Sequence, residues 1–258
     1  MTRGRTPLSR RYGTADLDVF TGEERRRFLG DRPTIVDSSG ELPAVVRWEL
    51  LYRLEPELYH RLVSAEPLHP AIVSWLPQTC GRVIEVAAGT GRLTLELAPR
   101  SAQLLAVEPA AGLRAILQRR LQGGGYTHAS LAAGYFDAIP ARDGAADLVA
   151  ACSALTANPA HGGNRGLAEM ERVCAPGGRV VIVWPTRPDW LTARGYHHLI
   201  FEGTMEMVFQ SPEEAVELGS IFFPAAAADI EALGSSRVPY ALLGTNPPCD
   251  VAWKEIPR

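Results

Sequence analysis

Lysine is nearly missing from this chain. Lys254 is the only one among 26 lysines and arginines, so guanidinium groups carry almost all of the positive charge. Alanine and glycine are abundant, and the combined bias points to GC-rich codons rather than to a chemical demand. Cysteine is sparse too. Cys80, Cys152, Cys174 and Cys249 form no Cys-x-x-Cys pair, which argues against a metal site or a disulfide framework. No apolar run has the length of a membrane span and no secretory leader pattern is present, so a soluble cytoplasmic protein without a membrane partner is expected. An excess of positive charge is also absent. The net charge is -3, which argues against a nucleic-acid partner.

What is present is apolar bulk. At 46% hydrophobic, 258 residues can bury a large core. The chain starts differently from the way it continues. Arg3, Arg5, Arg10 and Arg11 make a basic opening, and Glu23 to Arg27 is a charge run. Residues 1–42 therefore read as an arm, mobile or loosely packed, without the interleaved aromatics of a nucleic-acid arm. From Pro43 the spacing turns helical. Val46, Leu50, Leu51 and Leu54 share a face, and Pro56 and Pro70 are placed to open two further short helices. Residues 43–80 are read as a helical cap.

The densest signal lies between Val83 and Thr94. A buried strand ends on Glu85, and the small-residue loop Ala87-Ala88-Gly89-Thr90-Gly91 leads into a helix. Glycines let backbone approach a ligand with no Cβ in the way. A helix start presents unpaired N–H groups to whatever sits there. The next apolar strand, Leu104 to Val107, closes on Glu108. That is roughly 20 residues downstream, where doubly wound nucleotide folds place a carboxylate against ribose hydroxyls. Two carboxylates at adjacent strand ends are costly unless a ligand or water meets them.

These motifs resemble the class I S-adenosylmethionine-dependent methyltransferases, over residues 81 to 185. Glu85 matches the family's acidic strand end, and Gly89 and Gly91 match the last two of its three usual glycines. Ala87 stands at the first, with slightly less room expected. A nicotinamide or flavin reading is the weaker one, because its third small position falls on branched Thr94. The segment Gly134 to Pro140 resembles the family's adenine-facing stretch, with Asp137 toward the adenine amino group and Phe136 beside the ring. Tyr135-Phe136 is bulkier than the family's usual pair. The resemblance extends the cofactor set to Thr90, Pro109 and Cys152. Asp147 opens a fourth strand, and Leu167, Met170 and Val173 precede Pro176-Gly177-Gly178 and the strand from Val180, in the family's order.

The implied fold is α/β: a doubly wound Rossmann-like seven-stranded sheet over residues 81–258, mostly parallel with an antiparallel C-terminal hairpin, beside the helical cap. That hairpin is expected from Tyr240–Leu243 and Val251–Trp253, and a substrate-side insertion at about 186–236. Within the insertion, Gly203 to Phe209 alternates like a strand, and Ser211 to Glu214 is a capping box opening a helix.

The cofactor implied is S-adenosylmethionine, and the reaction is direct methyl displacement to a small organic acceptor. Tyr52, Tyr59, His161, Tyr196 and His197 are candidates to meet that acceptor, with Trp48 beside the first two. No catalytic residue is assigned. His161, His197 and His198 are the bases within reach if the acceptor atom is oxygen. No metal is expected, because adjacent His197 and His198 on a helix point about 100° apart. Asn246-Pro247-Pro248-Cys249 is similar to a motif of amino-methylating nucleic-acid enzymes. It lacks the aromatic and sits too late in the chain, so it reads as a turn. A non-catalytic cofactor-binding module and a homodimer stay open.

Overall fold

The structure is a computed structural model, and it describes residues 7–9, 11–30 and 35–258. Arg3, Arg5 and Arg10 of the basic opening lie outside the described residues. The strands in chain order are β1 (Cys80–Val86), β2 (Ser101–Val107), β3 (Ala129–Ala132), β4 (Ala146–Cys152), β5 (Cys174–Val183), β6 (His197–Ile200), β7 (Glu206–Val208), β8 (Arg237–Pro239) and β9 (Asp250–Glu255). The chain divides into two compact units. One holds residues 68–203 and 248–258, and the other holds 1–67 and 204–247.

The first unit is built on a seven-stranded sheet of order β3-β2-β1-β4-β5-β9-β6. β1 pairs in parallel with β2 and β4, β2 with β3, and β4 with β5. β9 runs antiparallel between β5 and β6. Both faces of the sheet are covered. Val83, Leu104, Leu148 and Val181 are buried on one face, and Ile84, Val107, Val149 and Ile182 on the other. Double burial explains why Val180 to Val183 reads as an unbroken apolar run rather than an alternating one.

The sheet corrects one expectation. Tyr240–Leu243 is a one-turn helix, and β9 takes β5 and β6 as its partners. Periodicity cannot separate strand from helix in so short an apolar run, and Pro239 just before it suits a helix start. His197 and His198 lie on β6 rather than on a helix, so their side chains point to opposite faces.

The second unit gathers helices Gly22–Leu29, Ala44–Leu54, Pro56–Ser64 and Pro212–Phe222 with the β7-β8 ladder. The proline-marked starts fall where the sequence places them. Ser211 caps the last helix by accepting from Glu214 N–H at 3.2 Å. The described part of the first 42 residues is packed rather than loose. Leu8, Leu17, Phe20 and Phe28 are buried. Thr21 and Glu24 close a reciprocal capping box at 2.9 and 3.2 Å, which turns the charge run into a helix. Arg53 then sits over the rings of Phe20 and Phe28 and pairs with Glu24 and Glu49. Reading only the charges of this segment missed the aromatic residues that anchor it. No helix among the described residues is long and apolar enough to cross a membrane.

Candidate active site

The loop after β1 is held by the two carboxylates that end β1 and β2. Glu108 accepts from Gly89 N–H at 2.9 Å and from Ala110 N–H at 2.8 Å, although its side chain is nearly fully buried. It therefore fastens the glycine loop to the end of the neighbouring strand. Glu85 is 1% exposed and accepts from Thr94 Oγ1 at 2.5 Å. Burial pushes the Glu85 carboxyl up to about 8, opposed by the Thr94 hydroxyl, and the nearby Glu108 charge pushes it further in the same direction. Arg92 draws it back down. Burial outweighs the Arg92 charge, so this carboxylate lies in surroundings that disfavour its charged form.

Backbone geometry marks the same edge. Among the described residues, four non-glycine residues have positive φ, and three of them end adjacent strands. Ala87 follows β1 at φ 57°, Ser153 follows β4 at 53°, and Trp184 follows β5 at 52°. Side chains avoid this region, at a cost of about 1–2 kcal/mol per residue. Strain of this kind collects where structure serves a ligand. Parallel open sheets bind ligands beyond the carboxyl ends of their strands, at the point where strand order reverses. Here that point lies between β1 and β4.

Ala87 thus differs from its sequence reading. The alanine is felt in the backbone, because the position requires a left-handed conformation that glycine adopts freely. Gly89 and Gly91 are also left-handed, at φ 58° and 99°. A Cβ on Gly91 would lie 2.5 Å from Leu117 Cδ1, so Leu117 of helix Ala111–Gly123 packs on the loop only because this position is glycine. The helix after the loop is shorter than expected. Thr94–Leu97 is a single turn, and Ala98–Arg100 continues as a 3-10 turn containing Pro99. The backbone of the loop, not a long helix dipole, therefore dominates here.

The remaining candidates are sorted by the fold. Thr90 is buried, and its carbonyl accepts from Arg120 at 2.6 Å. Pro109 presents its carbonyl to Arg114. Cys152 ends β4 next to strained Ser153. Asp137 is half-buried in the segment after β3. Phe136 departs from its expected place beside a ligand ring. It is 6% exposed and packs in the core, where a Cβ on Gly162 or Gly166 would strike it. His161 closes the short turn after β4, next to Gly162.

Two other candidates leave the site. Tyr196 is buried in the core and donates to Glu171 at 3.1 Å. His197 stacks on Trp253, with 4.4 Å between ring centres, at the far edge of the sheet. Tyr52 and Tyr59 belong to the second unit, where their rings meet edge to face at 4.8 Å and Trp48 joins Tyr52 and Phe222. Its neighbour His198 pairs with Asp250 at 2.8 Å on β9. A shallow cleft of about 520 Å³ beside Glu171, Arg194 and Lys254 is separate from these carboxylates. Sequence reasoning missed Arg92, Thr94 as partner of Glu85, and the strained Ser153 and Trp184. Only Thr94 left a trace in sequence, as the one hydroxyl on the first turn after the loop.

The comparisons with known proteins agree with this geometry. A family described as a methyltransferase domain matches residues 83–178. An uncharacterized methyltransferase of Mycobacterium tuberculosis is 36% identical over 124 residues, which is 47% of this chain and 47% of that protein. A ubiquinone/menaquinone biosynthesis C-methyltransferase of Rubrivivax gelatinosus is 25% identical over 185 residues, 72% of this chain and 65% of that protein. The chain thus spans about half the length of the first of these relatives. The glycine loop and paired carboxylates, the reversed β9 in a seven-stranded sheet and the matched domain agree: residues 83–178 match a methyltransferase domain, and the chain is similar to the class I S-adenosylmethionine-dependent methyltransferases.

Proposed function

We propose that this protein transfers the methyl group of S-adenosylmethionine to a small organic acceptor by direct displacement. The observation that carries the reading is the pair of buried carboxylates, Glu85 and Glu108, fastened to the loop after β1 by Thr94 and Gly89. Their surroundings fit the cofactor. Glu108 is an acceptor of the kind that ribose hydroxyls need, at the end of β2 beside the glycine loop. Glu85 is a buried carboxyl whose charged form burial disfavours, and a positive ammonium group beside it would favour that form. Asp137, half-buried in the segment after β3, supports the reading as an acceptor for an adenine amino group.

The bound cofactor supplies a methyl group on a sulfonium, already electrophilic without help from the protein. The protein's share is alignment and exclusion of water. The left-handed residues Ala87, Ser153 and Trp184 fix the backbone along the edge where alignment is needed. A small acceptor is supported by the net charge of -3, which does not suit a phosphate backbone. The name of the Rubrivivax relative concerns transfer to carbon, and a carbon or amine acceptor requires no dedicated base.

Calorimetric titration with S-adenosylhomocysteine tests the cofactor half. Absence of binding by the folded protein would sink the proposal. Incubating the protein and S-adenosylmethionine with metabolite extracts, then searching for methylated masses, tests the acceptor half. Methylation of nucleic acid and of no small molecule would overturn it.

A further inference from the structure

The cleft beside Glu171, Arg194 and Lys254 takes no part in the site described above. Helix Gly163–Val173 gives it Asn164, Ala168 and Glu171. Ala193 and Arg194 come from the turn before β6, and Lys254 from β9. All of them lie in the unit that holds the seven-stranded sheet. Lys254 is opposite Val180, near the start of the run of β5 that pairs with β9. Trp184 follows the other end of that run, on the edge where the loop after β1 lies.

The charges of this cleft do not cancel. Lys254 Nζ donates to Glu171 at 3.0 Å, so those two compensate each other. Arg194 meets no carboxylate among the described residues. Its Nε donates to Asn164 Oδ1 at 3.0 Å, and its Nη1 donates to the Trp190 carbonyl at 2.8 Å. The Trp190 ring centre is 4.6 Å from the guanidinium carbon, so the group is also seated on an aromatic face. Nη1 keeps a second N–H, and Nη2 and the Asn164 amide nitrogen donate to no described protein group. A guanidinium held in this way is a fork that both oxygens of a carboxylate can accept from. The cleft measures about 520 Å³, far more than a carboxylate fills, and Ala168 and Ala193 make part of its wall apolar. One unbalanced positive charge matches a monoanion better than a phosphate dianion.

We propose that this cleft is a second binding site, for a small monocarboxylate with an apolar body. Arg194 and Asn164 hold the carboxylate, and the apolar body lies along Ala168 and Ala193 beside Lys254. The site is independent of the cofactor reading above.

Lys254 is the only lysine of the chain, so its acetylation reports on the cleft alone. The rate at which an N-hydroxysuccinimide ester of acetate modifies it is followed by the mass of the Lys254 peptide. Hexanoate, its neutral isostere hexanamide and inorganic phosphate are titrated against that rate. Hexanoate should slow the reaction to a plateau, and hexanamide should not, a comparison that needs no variant to fold. Phosphate should require a higher concentration than hexanoate, because it has no apolar body to bury. Arg194→Gln should weaken hexanoate about ten- to hundred-fold, as loss of a charge-assisted contact does. Arg194→Lys should fall between, since it keeps the charge without the fork. S-adenosylhomocysteine should leave the rate unchanged. Absence of protection by hexanoate, equal protection by hexanamide or phosphate, or protection that persists undiminished in Arg194→Gln would overturn the proposal. Displacement of hexanoate by S-adenosylhomocysteine would also overturn it, by making the cleft part of the cofactor site.

Discussion

At the scale of single residues, Glu108 has two duties. It is proposed to meet the ribose hydroxyls, and it accepts from the N–H groups of Gly89 and Ala110. Glu108→Ala should therefore weaken S-adenosylhomocysteine roughly ten- to hundred-fold and also lower stability by about 1–3 kcal/mol, because two buried donors lose their acceptor. Calorimetry and urea denaturation read the two effects separately, and unchanged affinity would remove Glu108 from the site. Glu85 makes stability depend on pH. Its carboxyl is raised to about 8 in the folded chain, from 4.5. Between those values the folded state holds a proton that the unfolded state has released, so stability falls as pH rises through this window. Glu85→Gln should flatten melting temperature between about pH 5 and 8, and an unchanged slope would assign it to other groups. Both carboxylates were legible in sequence because each ends an apolar run. Their partners were not, since Thr94 and Gly89 become neighbours only when the loop folds back.

At the scale of elements, the loop and helix Ala111–Gly123 approach closely where Gly91 has no side chain. Gly91→Ala should cost about 1–3 kcal/mol, from overpacking against Leu117 and from its left-handed backbone at φ 99°. In a Leu117→Ala background the added cost should shrink, since the clash is relieved and only the backbone strain remains. A cost that does not shrink would show that backbone strain alone accounts for it. Ala87→Gly should move the other way. It releases about 1–2 kcal/mol of left-handed strain, against a smaller entropic gain by the unfolded chain. A raised melting temperature is expected, and a lowered one would mean that the alanine methyl packs usefully. The elements themselves were largely readable: the parallel strands, the proline-opened helices and the capped helix Pro212–Phe222 fall where the pattern puts them. Of the closing strand pair, Val251–Trp253 was readable and falls on β9, whereas its partner was not, because Tyr240–Leu243 and His197–Ile200 are both four-residue runs.

At the scale of the whole molecule, ligand binding should appear as stability by mass action. S-adenosylhomocysteine at 100 times its dissociation constant should stabilise the folded chain by about 2.7 kcal/mol. Hydrogen exchange should slow around residues 85–91 and 108–110, and protection confined to residues 7–67 and 204–247 would place the ligand elsewhere. The sequence by itself determined the parallel core, the glycine loop and the two strand-ending carboxylates, because each depends on residues close together in the chain. Tertiary structure alone decided the rest. It built the described part of the first 42 residues into a packed unit, through burial of Phe20 and Phe28 around Arg53. It sent Tyr196 into the core and set Arg92 on Trp184, 92 positions later. It also forced Ala87, Ser153 and Trp184 into left-handed backbone. Those outcomes come from strand order and close packing, which bring distant side chains together and fix dihedral angles that no local preference would choose.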